Sequence, residues 1–168
     1  MLVTGFLPFG GEAVNPSQLV IERLPGSVAG VPVRTAVLDV DRHLAITQVR
    51  AAVAEHAPRA VLSVGRLRAY PPRLETRFVN RYCHDDIDEP VLAGGPAHYD
   101  ATLPRVEAIE TSTDAGTYVC NATAYLTRHE LGDAVPSGFL HVPLLSLMPL
   151  EEQVALTIAV LEAIASAT

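Results

Sequence analysis

The sequence contains no lysine and no tryptophan, and only two of its 168 residues are cysteines. The absence of lysine excludes Schiff-base catalysis, a lysine general base and the phosphate-binding lysine of Walker-type loops. Two cysteines are too few for the disulfide framework of a small secreted protein, so we expect free thiols in a reducing cytoplasm. A thiol that stays free is a possible nucleophile.

Positive charge is also scarce, because 12 arginines stand against 19 acidic residues and give a formal net charge of −7. Proteins that bind nucleic acid or a membrane surface need positive patches, so we expect neither partner. No apolar run approaches the roughly 18 residues of a transmembrane helix, and the N-terminus lacks the pattern of a signal peptide. We expect no cofactor and no metal, since Cys83 and His84 have no further ligands at suitable spacing.

The chain is rich in apolar residues, which make up 49% of it, while charged residues make up 18%. A chain of this composition is not disordered, and its length fits one domain over residues 1–168. So high an apolar content on a short chain also favours a homo-oligomer, either a dimer or a tetramer.

Strand and helix patterns alternate along the sequence. Strands are predicted over residues 1–6, 31–40, 60–64, 74–82 and 138–144, and helices over 41–56, 104–109, 120–131 and 151–166. A further helix is predicted to begin with Asn15 as its N-cap and Pro16 in its first position. This order predicts an α/β fold, a three-layer α/β/α open sandwich with a mixed, mostly parallel sheet.

Three side chains are candidates for chemistry. Cys120 lies where a helical pattern begins, and helix N-terminal amides stabilise an anion there, although an ordinary buried cysteine fits the same pattern. His141 lies late in a predicted strand, where open α/β sheets bind ligands, although a core histidine is the alternative. Glu75 could orient an imidazole in a triad, or could be a surface carboxylate.

The turn after the first strand contains glycines but no phosphate-binding motif. It reads TGFLPFGG over residues 4–11 and lacks both G-x-G-x-x-G and a following lysine. Its two phenylalanines, Phe6 and Phe9, suit a flat uncharged ring better than a phosphate. The alternative is that the turn simply packs on the core.

Several segments together carry a family resemblance. They are residues 4–11 with Asn15-Pro16, Glu75 with Asn80, IDEP at 87–90, GGPA at 94–97, ATLP at 101–104, AGTYVCN at 115–121 and GFLHVP at 138–143. In these segments the chain resembles the pyrrolidone-carboxyl peptidases (pyroglutamyl peptidase I) nearly end to end.

The resemblance implies a cysteine exopeptidase that removes the N-terminal pyroglutamyl residue from peptides. It implies that Cys120 is the nucleophile, that His141 is its general base and then acid, and that Glu75 orients His141. It also implies a set of substrate-binding residues: Phe6, Phe9, Asn15, Tyr118 and Val119.

The sequence also departs from the family's pattern. Gly65-Arg66-Leu67-Arg68 stands where members carry a Gly-Gln-Ala-Gly-Gly-Arg loop after the third strand, and Asp85 stands where members carry an arginine. Members are longer, with the difference mainly between Glu107 and Thr113 and near His141. One alternative is therefore a homologue that binds a lactam or peptide without turnover. A nucleoside-processing enzyme of similar architecture is another, but the missing phosphate-binding loop argues against it.

Overall fold

The structure is a computed structural model that describes residues 1–167. The helices are Pro16–Glu22 (α1), Arg42–His56 (α2), Val119–Leu131 (α3) and Leu150–Ala167 (α4). The strands are Leu2–Phe6 (β1), Ser27–Val28 (β2), Val31–Pro32 (β3), Arg34–Leu38 (β4), Val61–Leu67 (β5), Arg73–Glu75 (β6), Arg77–Val79 (β7), Tyr82–His84 (β8), Ile87–Glu89 (β9), His98–Asp100 (β10), Glu110–Ser112 (β11) and Ser137–Pro143 (β12).

Six strands form the central sheet, in the order β11-β6-β12-β5-β1-β4. The strands β4, β1, β5 and β12 run parallel, whereas β6 pairs with β12 in the antiparallel sense and β11 runs parallel to β6. The sheet is therefore mixed and mostly parallel, as the sequence predicts.

Helices cover both faces of the sheet. The helices α1 and α4 pack together on one face, and α2 and α3 pack together on the other. Alternate strand residues feed the two layers: Leu62 and Leu140 belong to one core cluster, and Phe6 and Phe139 belong to the other. Because both faces are covered, β1 and β12 are buried along their whole length and β5 is buried up to Gly65. The three-layer α/β/α prediction is confirmed.

The best-predicted helices are those with clear caps. Asn15 accepts a hydrogen bond from the Ser17 amide and Pro16 begins α1, while Asp41 caps α2 through the His43 amide. These side chains satisfy amides that have no partner within the helix. Within residues 1–167, no helix combines the length and the apolar character needed to cross a membrane.

Two predicted strands are broken in the structure. The 31–40 prediction divides at Val33, whose amide donates to Gly26 instead of a strand partner, next to Pro32, which has no amide hydrogen. The 74–82 prediction divides into β6, β7 and β8. Thr76 turns out of the sheet because its amide and its hydroxyl both donate to the Ser112 carbonyl.

Two other predictions about secondary structure are wrong. Residues 104–109 form turns with one Val106–Ile109 backbone bond, because a six-residue helix without a cap is marginal. The third strand does not end before Gly65, since β5 continues to Leu67 through its pairing with β12. Arg66 is therefore a strand residue and not part of a loop.

Candidate active site

Three strands bring Glu75 and His141 together. On β12, Phe139 lies opposite Glu75 of β6, and His141 lies two residues further along β12, opposite Gly65 of β5. Glu75 and His141 are therefore diagonal neighbours on one face of the sheet, within reach of each other's side chains.

The Glu75 carboxylate and the His141 imidazole form a buried hydrogen-bonded pair. Nδ1 of His141 lies 2.8 Å from Oε1 of Glu75, and the two side chains are 7% and 1% exposed. Burial by itself lowers the pKa of His141, but hydrogen bonds to Cys120 and Glu75 outweigh it and raise that pKa to about 9. The two hydrogen bonds therefore favour the protonated imidazole near neutral pH.

Cys120 lies in the first turn of α3, against the sheet. A Cβ atom added to Gly65 would lie 3.1 Å from the Cys120 sulfur and 2.5 Å from the ring of Phe139. The Phe139 ring in turn lies 4.8 Å from the His141 ring, measured between centroids. The strand must therefore carry glycine at this position, because any side chain would occupy the space of the thiol and of the phenyl ring.

Asn121 fixes the start of α3 in space. Its Oδ1 accepts from the Val79 amide at 2.9 Å, and its Nδ2 donates to the carbonyls of Val79 and Arg81 at 2.9 and 3.0 Å. The residue next to Cys120 is thus tied to the chain that follows β7. The first-turn amides of α3, which have no acceptor within the helix, surround the thiol and can stabilise an anion.

The predicted aromatic residues divide into an accessible pair and a buried residue. Phe9 and Tyr118 are partly exposed, and their ring centroids are 6.4 Å apart. Phe6 is only 2% exposed and packs against Phe139, and Val119 is 1% exposed. Of the three predicted aromatic residues, Phe9 and Tyr118 are the two that present ring surface to a flat ligand.

Asn15 is placed as a structural support for the turn after β1. It is 1% exposed, and its Nδ2 donates to the Leu7 carbonyl at 3.0 Å. Its Oδ1 accepts from both the amide and the hydroxyl of Ser17. Because its polar atoms have these partners, Asn15 holds the segment that carries Phe9.

Arg66 is a site residue whose position the sequence reasoning missed. Its side chain is only 3% exposed, its guanidinium carbon lies 4.2 Å from the centroid of the Phe9 ring, and its Nη1 lies 3.7 Å from Oε1 of Glu12. The available signal was Leu67, an apolar residue beyond Arg66 that fits a strand continuing past Gly65.

The exposed hairpin of β8 and β9 contacts the same region. The centroid of the His84 ring lies 3.9 Å from that of the Tyr118 ring, and Nε2 of His84 lies 3.5 Å from Oδ2 of Asp85. Cys83 is partly buried, with its amide bound to the Thr117 carbonyl at 2.7 Å. In the part of the chain that the structure describes, no three His, Cys, Asp or Glu side chains are grouped as metal ligands.

Comparison with known proteins decides the family. The family model described as "Pyroglutamyl peptidase" matches residues 1–165. The chain belongs to the pyroglutamyl peptidase family. It is 38% identical over 167 residues to the pyrrolidone-carboxylate peptidase of Vibrio vulnificus, covering 86% of this chain and 78% of that one. It is 34% identical to the protein of that name from Levilactobacillus brevis, covering 86% of this chain and 82% of that one.

Solved structures of the family share the fold. The pyrrolidone carboxyl peptidase of Thermus thermophilus superimposes with a TM-score of 0.88 at 34% identity, covering 96% of this chain and 98% of that one. A mutant of the Pyrococcus furiosus enzyme gives a TM-score of 0.90 at 27% identity, covering 99% and 98%. Both comparisons favour a peptidase, and neither favours a binding protein without activity.

Proposed function

We propose that this protein is a cysteine exopeptidase that hydrolyses the bond after an N-terminal pyroglutamyl residue. Family membership carries the reaction class, and the buried Glu75–His141 pair beside Cys120 is the observation that carries the assignment of roles. Cys120 is the nucleophile, His141 is the base and acid, and Glu75 orients the imidazole. No cofactor is needed, because a thiolate and an imidazole are sufficient for acyl transfer.

In the first half-reaction, the Cys120 sulfur attacks the carbonyl carbon of the pyroglutamyl residue. The carbonyl oxygen becomes an oxyanion, which the free amides at the start of α3 stabilise. As the intermediate collapses, the carbon–nitrogen bond breaks and the His141 imidazolium gives its proton to the leaving amine. The shortened peptide departs, and a thioester on Cys120 remains.

In the second half-reaction, water replaces the peptide. The neutral His141 imidazole takes a proton from the water, and the oxygen attacks the thioester carbonyl. The carbon–sulfur bond breaks, free pyroglutamate leaves, and the imidazolium–thiolate pair is restored. Glu75 keeps Nδ1 protonated and in place through both steps, in the role that an aspartate has in serine peptidases.

Phe9 and Tyr118 bound the proposed pocket for the lactam ring. The ring is flat and uncharged, so partly exposed aromatic faces suit it. Phe6 and Val119 support this wall from the core, and Asn15 holds the turn that carries Phe9.

The test is to replace each cysteine in turn. We expect Cys120→Ala to abolish release of aminomethylcoumarin from its pyroglutamyl amide, because no other group can form the thioester. Cys83→Ala is the matched control and should retain most of the activity, since Cys83 lies in an exposed hairpin. Retained activity in Cys120→Ala, or its loss in Cys83→Ala alone, contradicts the proposal.

We also propose that residues 1–168 fold as one domain, that the chain assembles as a dimer or tetramer, and that it works in a reducing cytoplasm. A reducing compartment keeps the thiol of a cysteine nucleophile available. The proposed partners are short peptides with an N-terminal pyroglutamate.

A further inference from the structure

Arg66 is a nearly buried cation beside the proposed catalytic residues. Its side chain is 3% exposed, whereas that of Arg68, two residues along, is 69% exposed. One face of its guanidinium lies on the Phe9 ring, at 4.2 Å from the centroid. Burying a cation costs free energy unless a partner compensates the charge, so a position of this kind needs an explanation.

Compensation within the protein is incomplete. The ion pair with Glu12 is 3.7 Å long, beyond the length of a hydrogen bond, and Glu12 is half-exposed and shared with Arg68. Among residues 1–167, no acceptor forms a hydrogen bond with the Arg66 guanidinium. The charge therefore stays available to another negative group nearby.

The negative group that we consider is the thiolate of Cys120, which lies near the end of β5. Gly65 lies directly against the Cys120 sulfur and opposite His141 in the parallel pairing of β5 and β12. Arg66 is the next residue of the strand, so its side chain leaves on the opposite side from the face that Gly65 presents to the thiol. Its guanidinium nevertheless lies on the Phe9 ring, and Phe9 neighbours Tyr118 at the start of α3, two residues before Cys120. Burial and the charge of Arg68 lower the pKa of Arg66, while Glu12 and Cys120 act in the opposite direction.

We infer that Arg66 is a positioning residue for charge: its buried guanidinium stabilises the thiolate of Cys120, so that the nucleophile is ionised at lower pH than His141 alone would allow. The inference rests on the proposed function only in taking Cys120 as the nucleophile. The Arg66 guanidinium would then be a second positive charge near the thiol, in addition to the His141 imidazolium.

Other groups near the thiol do not replace this charge. Burial raises the pKa of Tyr118, with Asp85, Asp41 and Cys120 acting in the same direction, so its phenol is neutral near pH 7. Among residues 1–167, His141 from β12 and Tyr118 from the start of α3 interact with Cys120, and Glu75 from β6 lies behind His141. Glu12 from the turn after β1 and Arg68, just after β5, interact with Arg66.

The experiment measures ionisation of the thiol without any substrate. Iodoacetamide alkylates a thiolate, forming the carbon–sulfur bond as iodide leaves, and its rate against pH reports the ionised fraction. With Cys83→Ala as the background, we expect Arg66→Gln to move the acid-side midpoint up by about 0.5–1 pH unit. At pH 6 the alkylation rate should fall by about 3-fold to 10-fold. Arg66→Lys keeps the positive charge, so its alkylation rate at pH 6 should fall by less than that of Arg66→Gln.

Two further variants test the direction of the midpoint shift and its dependence on a buried charge. Glu12→Gln removes the counter-charge from a half-exposed position, and we expect it to move the midpoint down, opposite to Arg66→Gln. Arg68→Gln is the matched control, because it removes an arginine that shares Glu12 but is exposed to solvent. Its midpoint should shift by less than half as much as in Arg66→Gln. Circular dichroism of each variant checks that it is folded.

The outcomes separate this inference from the proposed function. An unchanged midpoint in folded Arg66→Gln, with no downward shift in Glu12→Gln, overturns the inference. So does a rise in KM for a pyroglutamyl amide without any change in alkylation, because Arg66 then acts on the substrate alone. If the midpoints move as expected but the unmodified protein releases no pyroglutamate, the proposed function fails and the inference stands.

Discussion

At the scale of single residues, the central feature is how one imidazole is held between a buried carboxyl group and a thiol. Glu75 is buried with one oxygen on His141 Nδ1, and its other oxygen has no hydrogen-bond partner among residues 1–167. A buried carboxylate with so few donors depends on its single partner. The proton on Nδ1 of His141 therefore stabilises the buried Glu75 carboxylate, in addition to its proposed role in orienting the imidazole.

Glu75→Gln tests this dependence by keeping the shape and removing the charge. Glu75 raises the pKa of His141, which stands at about 9, so removing the charge must lower it. The imidazolium, which we propose donates to the leaving amine, is then lost at lower pH. We expect kcat/KM to fall by about 100-fold and the basic limb of its pH profile to move to lower pH.

The matched control for this variant is Glu110→Gln, which removes an exposed carboxylate from the neighbouring edge strand β11. It should leave both the rate and the profile unchanged. A basic limb that stays in place in Glu75→Gln would show that Glu75 does not govern the protonation of His141.

At the scale of elements, the site depends on how closely α3 approaches β5. Gly65 is the contact point, since the Cys120 sulfur and the Phe139 ring fill the space where a side chain would stand. Asn121 holds the other side of the helix start through its three hydrogen bonds to residues 79 and 81. The helix is thus clamped between the central sheet and the chain after β7.

We expect Gly65→Ala to separate α3 from β5. The added methyl group must displace a fully buried phenyl ring, which costs about 1–3 kcal/mol in the free energy of unfolding. Movement of the thiol from His141 should lower kcat by about 10-fold or more. Denaturant unfolding and steady-state kinetics measure the two effects.

Gly26→Ala provides the comparison, because nothing lies within 4 Å of the Cβ atom it would add and its φ is not positive. It should leave stability and kcat close to those of the unmodified chain. Equal effects of the two substitutions would mean that close approach at Gly65 is not what positions the thiol.

At the scale of the whole molecule, apolar side chains remain on the surface. Leu7, Val14, Leu44, Tyr70, Ile87 and Leu147 are between 38% and 63% exposed. Single exposed apolar residues are common in monomers, so none of them defines an interface. The proposed assembly therefore rests on the 49% hydrophobic content of a short chain.

Light scattering after size-exclusion chromatography tests the assembly. With a chain mass of 17.9 kDa, we expect a mass near two or four times that value at micromolar concentration. A mass of one chain over the whole concentration range would contradict the proposed oligomer without bearing on the catalytic residues.

Local signals in the sequence were sufficient for the fold class and for the main elements. The caps Asn15 and Asp41, and the apolar runs of β1, β5 and β12, act within a few residues, so the sequence alone reveals them. The prediction of a helix over 104–109 was wrong because the apolar residues of this segment pack on the core without forming a helix. The predicted end of β5 was wrong because the strand is extended by pairing with β12, which is distant in the sequence.

By itself, the sequence determined the chemistry that was available: free thiols, no lysine, and the Cys120, His141 and Glu75 segments that indicated the family. The tertiary structure decided which groups meet. Glu75 and His141 are 66 residues apart, and only the antiparallel pairing of β6 with β12 brings them to 2.8 Å. Arg66 entered the site for the same reason, because burial and charge depend on neighbours that the fold supplies and no local pattern records.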